Sequence, residues 1–280
     1  MTVLIGTSGW QYADWKPLVY PDLPQRLWLE RHAQLFATVE VNNAFYRLPK
    51  RETFEGWAQR TPDDYVVTVK ASRFLSHIKR LRDPQEPVAR LMDRVTGLGS
   101  KLGAVLLQLP PTLQRDVTLL DECLACFPAG TRVAVEPRHD SWWDPGTREV
   151  LERRGAALVW ADSYGKAVTP LWRTTDWGYL RLHHGPGDGW DYGYAGVRPW
   201  AERLVETWAE DEVVYAYTNN DPTGAALRDA EHLAVAMHRR GRTTTRVDLP
   251  PSGVPSPVHT SCPGPDPDHA QDEVALRSRA

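Results

Sequence analysis

The sequence has little cysteine, no long apolar run and no marked excess of either charge, and each lack removes a class of function. Three cysteines in 280 residues cannot supply a disulfide framework. Cys123 and Cys126 form a CxxC, but inside LLDECLACF, whose spacing reads as an amphipathic helix. With no second CxxC and no histidine cluster beside it, packing explains the pair better than zinc or redox work. No apolar run approaches membrane-spanning length, and the opening MTVLIGTSGW has no basic region ahead of an apolar signal core. A cytoplasmic location with no membrane contact is therefore expected. A formal net charge of −3 exerts no global pull toward nucleic acid, so such a partner needs a local basic patch. No GxGxxG follows the first strand-like run, which removes the main support for an open dinucleotide-binding sheet.

What the sequence does have is alternation. Short β-branched runs recur at VLIG (3–6), TVEV (38–41), YVVTVK (65–70), GAVLLQ (103–108), TRVAVE (131–136), AALVWA (156–161), GYLRLH (178–183) and VVYAYT (213–218). Between most of them lie segments such as RETFEGWAQR and PWAERLVETWAE, with apolar residues three and four apart, as crossover helices require. SYGKAVTPLWRTTD, after the sixth run, is the weakest of these helices. Eight strand–helix repeats predict an α/β fold, a (β/α)8 TIM-barrel-like single domain over residues 1–240. From residue 241 the periodicity stops, and seven prolines fall between Pro250 and Pro267. Residues 241–280 are accordingly expected to form a disordered Pro-rich tail.

In such a barrel the working groups stand at the C-terminal ends of the strands. Here those ends carry Ser8 and Trp10; Glu40, Asn42 and Asn43; Lys70; Gln108; Glu136, Arg138 and His139; Asp162; Arg181, His183 and His184; and Asn219 with Asn220. Within each strand, Glu40 and Asn42, Glu136 and Arg138, Trp160 and Asp162, and Arg181 and His183 share parity, so each pair can face one side. If that side is the lumen, the groups converge on one pocket, where charge is costly unless paired or ligand-bound. Mutual pairing without chemistry is the competing reading. Trp10, Tyr12, Trp15, Phe45, Tyr46, Trp142 and Trp143 follow strand ends too, and are expected to rim the same mouth for stacking, or else to pack as ordinary core.

GTSGWQYADW, VEVNNAFYRLP, FLSHIKRL, LLQLPP, AVEPRHDSWW, the Asp of WADS, YLRLHHG and YTNN together resemble, in order and spacing, the YecE-like family, also known as domain of unknown function seventy-two. The resemblance runs from residue 4 to about 236. It implies a TIM-barrel-like fold, and an activity that the family's own label leaves unassigned. It also implies a functional set at the matching positions: Ser8, Trp10, Tyr12, Glu40, Asn42, Tyr46, Lys70, His77, Gln108, Glu136, Arg138, His139, Asp162, Arg181, His183, Asn219 and Asn220. Ala44 where the family commonly has Thr, the added His184, and Thr218 where an aromatic usually precedes the paired asparagines, bear on substrate detail more than on fold.

Three functions compete. The first is an enzyme using acid–base chemistry on a small or terminal anionic substrate bearing sugar or phosphate: Glu40 or Glu136 as acid or base, His183 as proton relay, Lys70, Arg138 and Arg181 holding the anion. In a sharper variant Lys70 is a Schiff-base nucleophile. The second is metal-assisted, with Glu40, Glu136, Asp162 and His183 as ligands; the absence of HxH or HExxH spacing disfavours it, and no cofactor is predicted. The third is a module binding a nucleic-acid end or lesion through the basic, aromatic SRFLSHIKRLR.

Overall fold

In the computed structural model, which describes residues 2–186 and 189–250, eight parallel strand segments follow one another around a ring. They are β1 (Thr2–Thr7), β2 (Thr38–Val41), β3 (Val66–Lys70), β4 (Leu102–Gln108), β5 (Val133–Glu136), β6 (Ala157–Leu158 and Trp160–Ser163), β7 (Trp177–Leu182) and β8 (Val213–Thr218). Each pairs with the next, and β8 pairs with β1. The ring closes through β6. Its first piece pairs with β5, its second with β7, and between them the Val159 amide donates to Val135 O at 2.9 Å. The expected TIM-barrel-like α/β fold is present.

Two apolar groupings of opposite parity account for the ring. Leu4, Leu106, Ala134, Val159, Ala161, Tyr179, Tyr215 and Tyr217 fill the lumen. Val3, Ile5, Val39, Val69, Val105, Val135, Trp160, Leu180 and Val214 face outward against the helices. Successive side chains of a strand point to opposite faces, so both sets bury and the strands read as near-continuous apolar runs. Gly6 is required where β1 meets β2, because a Cβ there would lie 2.3 Å from Thr38 O.

Among the described residues, six crossover helices and one helix after β8 flank the ring: α1 (Trp28–Leu35), α2 (Arg51–Gln59), α3 (Gln85–Val95), α4 (Val117–Ala125), α5 (Pro145–Arg154), α6 (Gly193–Thr207) and, after β8, α7 (Ala225–His238). Local chemistry sets their ends. Asp144 accepts from the Gly146 amide at 2.9 Å ahead of Pro145 in the first turn, and Gly155 closes α5 in the left-handed region at φ 62°. Cys123 is buried in α4, as its packing reading requires.

Two expectations need correction. The segment after β6 is not a weak helix: Tyr164 and Gly165, with φ of 57° and 74°, reverse the chain so that Lys166–Ala167 pairs antiparallel with Asp162–Ser163. Thr169 and Thr174 then accept from the Ala161 and Leu158 amides, both at 2.9 Å, and coil replaces helix on the outer side of β6. Nor does the fold end where helical periodicity does. Thr243–Thr244 pairs with β1, the Thr245 amide donates to Val3 O and the Asp248 amide to Leu35 O, both at 2.9 Å. Helical spacing cannot reveal a segment held by backbone bonds. The stretch from Pro251 onward, where most of the proline-rich tail was expected, lies outside the described residues.

Candidate active site at the barrel mouth

The even-numbered residues of β1 to β5 and the odd-numbered ones of β6 to β8 face the lumen, so the C-terminal ends present Ser8, Glu40, Asn42, Lys70, Gln108, Glu136, Arg138, Arg181, His183 and Asn219 inward. Arg181, 1% exposed, ties the floor of this cluster together. Its Nη2 donates to Glu40 Oε1 at 2.8 Å and its Nη1 to Glu136 Oε2 at 2.6 Å. Glu40 also accepts from Ser8 Oγ at 2.7 Å and from the Tyr179 hydroxyl at 2.6 Å. Arg138 approaches Glu136 Oε1 at 3.0 Å. Two carboxylates and two guanidiniums thus neutralise one another inside the barrel, the arrangement that makes buried charge tolerable.

The neighbours set the protonation states. Burial pushes the Glu136 carboxyl up, but Arg181 and Arg138 outweigh burial and hold it well below the usual carboxylate range. His183 is pushed down to about 4 by burial, against the pull of Glu136, so its ring is neutral at pH 7. The neutral ring donates from Nε2 to Glu136 Oε1 at 3.0 Å and accepts on Nδ1 from Asn219 at 3.0 Å, a tautomer assigned from these partners. Lys70 is pushed down to about 7, first by burial and then by Arg181 and Arg138. Its Nζ lies 4.2 Å from the centroid of the Phe45 ring, whose edges also meet Tyr46 and His77 at 5.1 and 4.9 Å. Tyr46 and His77 thus join the site through Phe45.

Beside this cluster is a pocket of about 130 Å³ lined by Ser8, Trp10, Gln11, Tyr12, Asn42 and Asn43 among others. That is close to the size of cavity that takes up a single six-membered ring. The Tyr12 hydroxyl donates to Ser8 O and lies beside Asp221. Asp221 is pushed up to about 8, chiefly by burial, so it is a neutral acid at pH 7. The sequence reading missed both Asp221 and Tyr179. The available signals were the carboxylate directly after the paired asparagines and the shared parity of residues 179, 181 and 183.

Other expected members lie elsewhere. Asp162 shares its face with Trp160 as parity required, but that face is the outer one: Asp162 accepts from the Tyr192 hydroxyl at 2.7 Å and from Trp200 Nε1 at 2.9 Å. Asn220, next to the inward Asn219, donates to Asp229 at 2.7 Å and to Trp190 O at 2.8 Å. His139 accepts from the Ser141 amide at 3.1 Å and caps a short helical turn. The aromatic rim is largely core. Trp15 and Trp142 are wholly buried, and Trp10 packs edge-on against Trp57 at 5.4 Å, whereas Tyr46 is 52% exposed. The four proposed metal ligands do not gather, since Asp162 faces α6 and Arg181 occupies Glu40 and Glu136. Among the described residues no group of three or more His, Cys, Asp or Glu is placed to hold a metal ion.

The family described as "Protein of unknown function DUF72" matches residues 4–253. The chain belongs to the DUF72 family. Among DUF72 relatives, UPF0759 protein YecE of Escherichia coli (strain K12) is 30% identical over 154 residues, 55% of this chain and 54% of that protein. That match therefore spans about half of YecE. UPF0759 protein YunF of Bacillus subtilis is 23% identical over 82% of this chain and 93% of its own length. A solved DUF72 structure from Thermotoga maritima superposes with a TM-score of 0.73 at 26% identity, over 85% of this chain and all of that one. A second, from Enterococcus faecalis, gives 0.71 at 18% identity over 85% and 96%, and speaks to the fold alone. No helix among the described residues is long and apolar enough to cross a membrane.

Proposed function

We propose that this DUF72 protein is an enzyme that uses acid–base chemistry on a small anionic substrate, or on the anionic end of a larger one, at the barrel mouth. The observation that carries the reading is the set of ionisable side chains from β2, β3, β5 and β7 gathered around Arg181, where the Arg181 and Arg138 guanidiniums already match the two glutamates and Lys70 adds positive charge whenever it is protonated. An anion supplies the missing negative charge.

This reading moves the acid–base work away from Glu136 and His183. Glu136 is too weak a base to take a proton near neutrality, and His183 is held neutral far from its working range. General catalysis works best with a group whose pKa lies near the operating pH. Asp221 near 8 meets that condition, with Glu40 and Arg181 of the buried ladder among the charges that act on it. The small pocket suits a small or terminal group, and exposed Tyr46, Phe74 and Ile78 on the loops after β2 and β3 offer apolar surface to the remainder of a larger molecule.

Thermal melts in sodium phosphate and sodium chloride at equal ionic strength test the reading. Phosphate is expected to raise the midpoint of the wild type above the chloride value, and Arg138→Ala to lose most of that rise. An equal rise in both proteins would reduce the effect to general exclusion of the salt from the surface and overturn the reading.

A further inference from the structure

Two lysines are buried to the same degree, at 9% exposure, and they are held in opposite ways. Lys101 Nζ donates to Ala58 O at 2.6 Å, to Thr61 O at 2.7 Å and to Thr61 Oγ1 at 3.2 Å. An ammonium has three donors, and here all three are used. Around Lys70 Nζ, among the described residues, there is no hydrogen-bond acceptor and no carboxylate within ion-pairing distance; the nitrogen rests on the face of Phe45. An ammonium held on a ring face with no fixed acceptor gains little from the protein, whereas a neutral amine with a free lone pair needs no acceptor.

We propose that Lys70 is a covalent nucleophile, and that the substrate class is small carbonyl compounds, aldehydes or ketones bearing an anionic group, with which Lys70 condenses to an imine. The inference rests on the anionic-substrate reading for the second half of that class and on the Lys70 geometry alone for the first. In the step, the Nζ lone pair attacks the carbonyl carbon and the carbonyl oxygen takes up a proton, giving a carbinolamine. The proton lost by the nitrogen passes through solvent to the hydroxyl, which leaves as water as the carbon–nitrogen double bond forms, giving the protonated imine. Nothing is oxidised or reduced, and hydrolysis restores the amine.

The surroundings favour this over a role as proton carrier. A general base hands its proton on through a hydrogen-bonded partner, and Nζ has none among the described residues. With a pKa near 7, about half of Lys70 is free base at neutral pH, against roughly one part in a few thousand for an ordinary lysine. Once formed, a protonated imine carries the same charge as the ammonium, and the glutamates that oppose the depression of Lys70 favour that charge.

Competition among lysines within the intact wild-type chain tests the inference without a variant that has to fold. The protein is incubated at pH 7 with glyoxylate and cyanoborohydride, and each lysine's modification rate is read by peptide mapping. Lys70 is expected to be modified at least about tenfold faster than the exposed Lys16 and Lys50, with a rate that levels off above about pH 7 while theirs keeps rising. Modification of Lys70 no faster than of Lys16 would overturn the imine, and would leave the anion reading standing if phosphate still raised the midpoint. Equal rates with acetaldehyde and glyoxylate would support the imine and overturn the anionic half of the substrate class.

Discussion

At the scale of the residue, Lys70 carries an energetic signature as well as a chemical one. Its folded pKa of about 7 lies below an ordinary lysine's 10.5, so between those values the unfolded chain holds a proton that the folded chain does not. Stability therefore climbs with pH across that window, at about 1.4 kcal/mol per unit while the difference lasts, and the penalty of burying the ammonium is fully present below about 7. Lys70→Met is expected to flatten the rise between pH 7.5 and 9.5 in denaturant titrations. A slope retained in the variant would mean that Lys70 titrates as an exposed lysine does. Lys70 was legible in the sequence as a strand-end cation. Its isolation was not, because the sequence does not show which acceptors reach Nζ.

At the scale of the element, β6 explains why one expected catalytic residue left the site. The lumen-facing positions of β1 to β5 are even-numbered and those of β6 are odd, so Asp162 falls on the outer face while Val159 and Ala161 point inward. There the carboxyl accepts from Tyr192, Trp200 and the Gly165 amide, and it joins β6 to α6 and to the hairpin turn. Burial pushes it up to about 6 in spite of those donors. Asp162→Ala strands the Tyr192 and Trp200 donors and is expected to cost about 3 kcal/mol of stability. The relative modification rate of Lys70 should remain at the wild-type value below the new midpoint. A selective loss of that rate with unchanged stability would restore Asp162 to the chemistry.

At the scale of the whole molecule, the chain after α7 returns to the foot of the barrel and ties β1 to α1. The Ile5 amide donates to Thr245 Oγ1 at 3.2 Å, and Arg246 pairs with Asp64 at 2.9 Å while also donating to Ala33 O at 2.9 Å. A chain ending at residue 242 loses all of these contacts, and one ending at residue 250 keeps them. The shorter is expected to be less stable by about 2 kcal/mol, a midpoint about 5 °C lower. Equal midpoints would show that residues 243–250 add nothing to the fold.

The sequence by itself determined the strand positions, the crossover helices other than the one expected after β6, the family and the polar strand ends, because strand and helix periods are local and eight repeats in this length leave one economical architecture. It also determined which neighbours in a strand share a face, and Glu136 with Arg138, and Arg181 with His183, do so. Only the tertiary structure decided which face that is. A period of two pairs alternate residues but does not say which set looks inward; that depends on how the strands register around the closed ring. The same reason separates Asn219 from Asn220 and Arg138 from His139. Charge pairing is likewise a property of the ring. Arg181 meets Glu40 and Glu136 from strands far apart in sequence, and that pairing leaves the Lys70 amine without a hydrogen-bonded partner among the described residues.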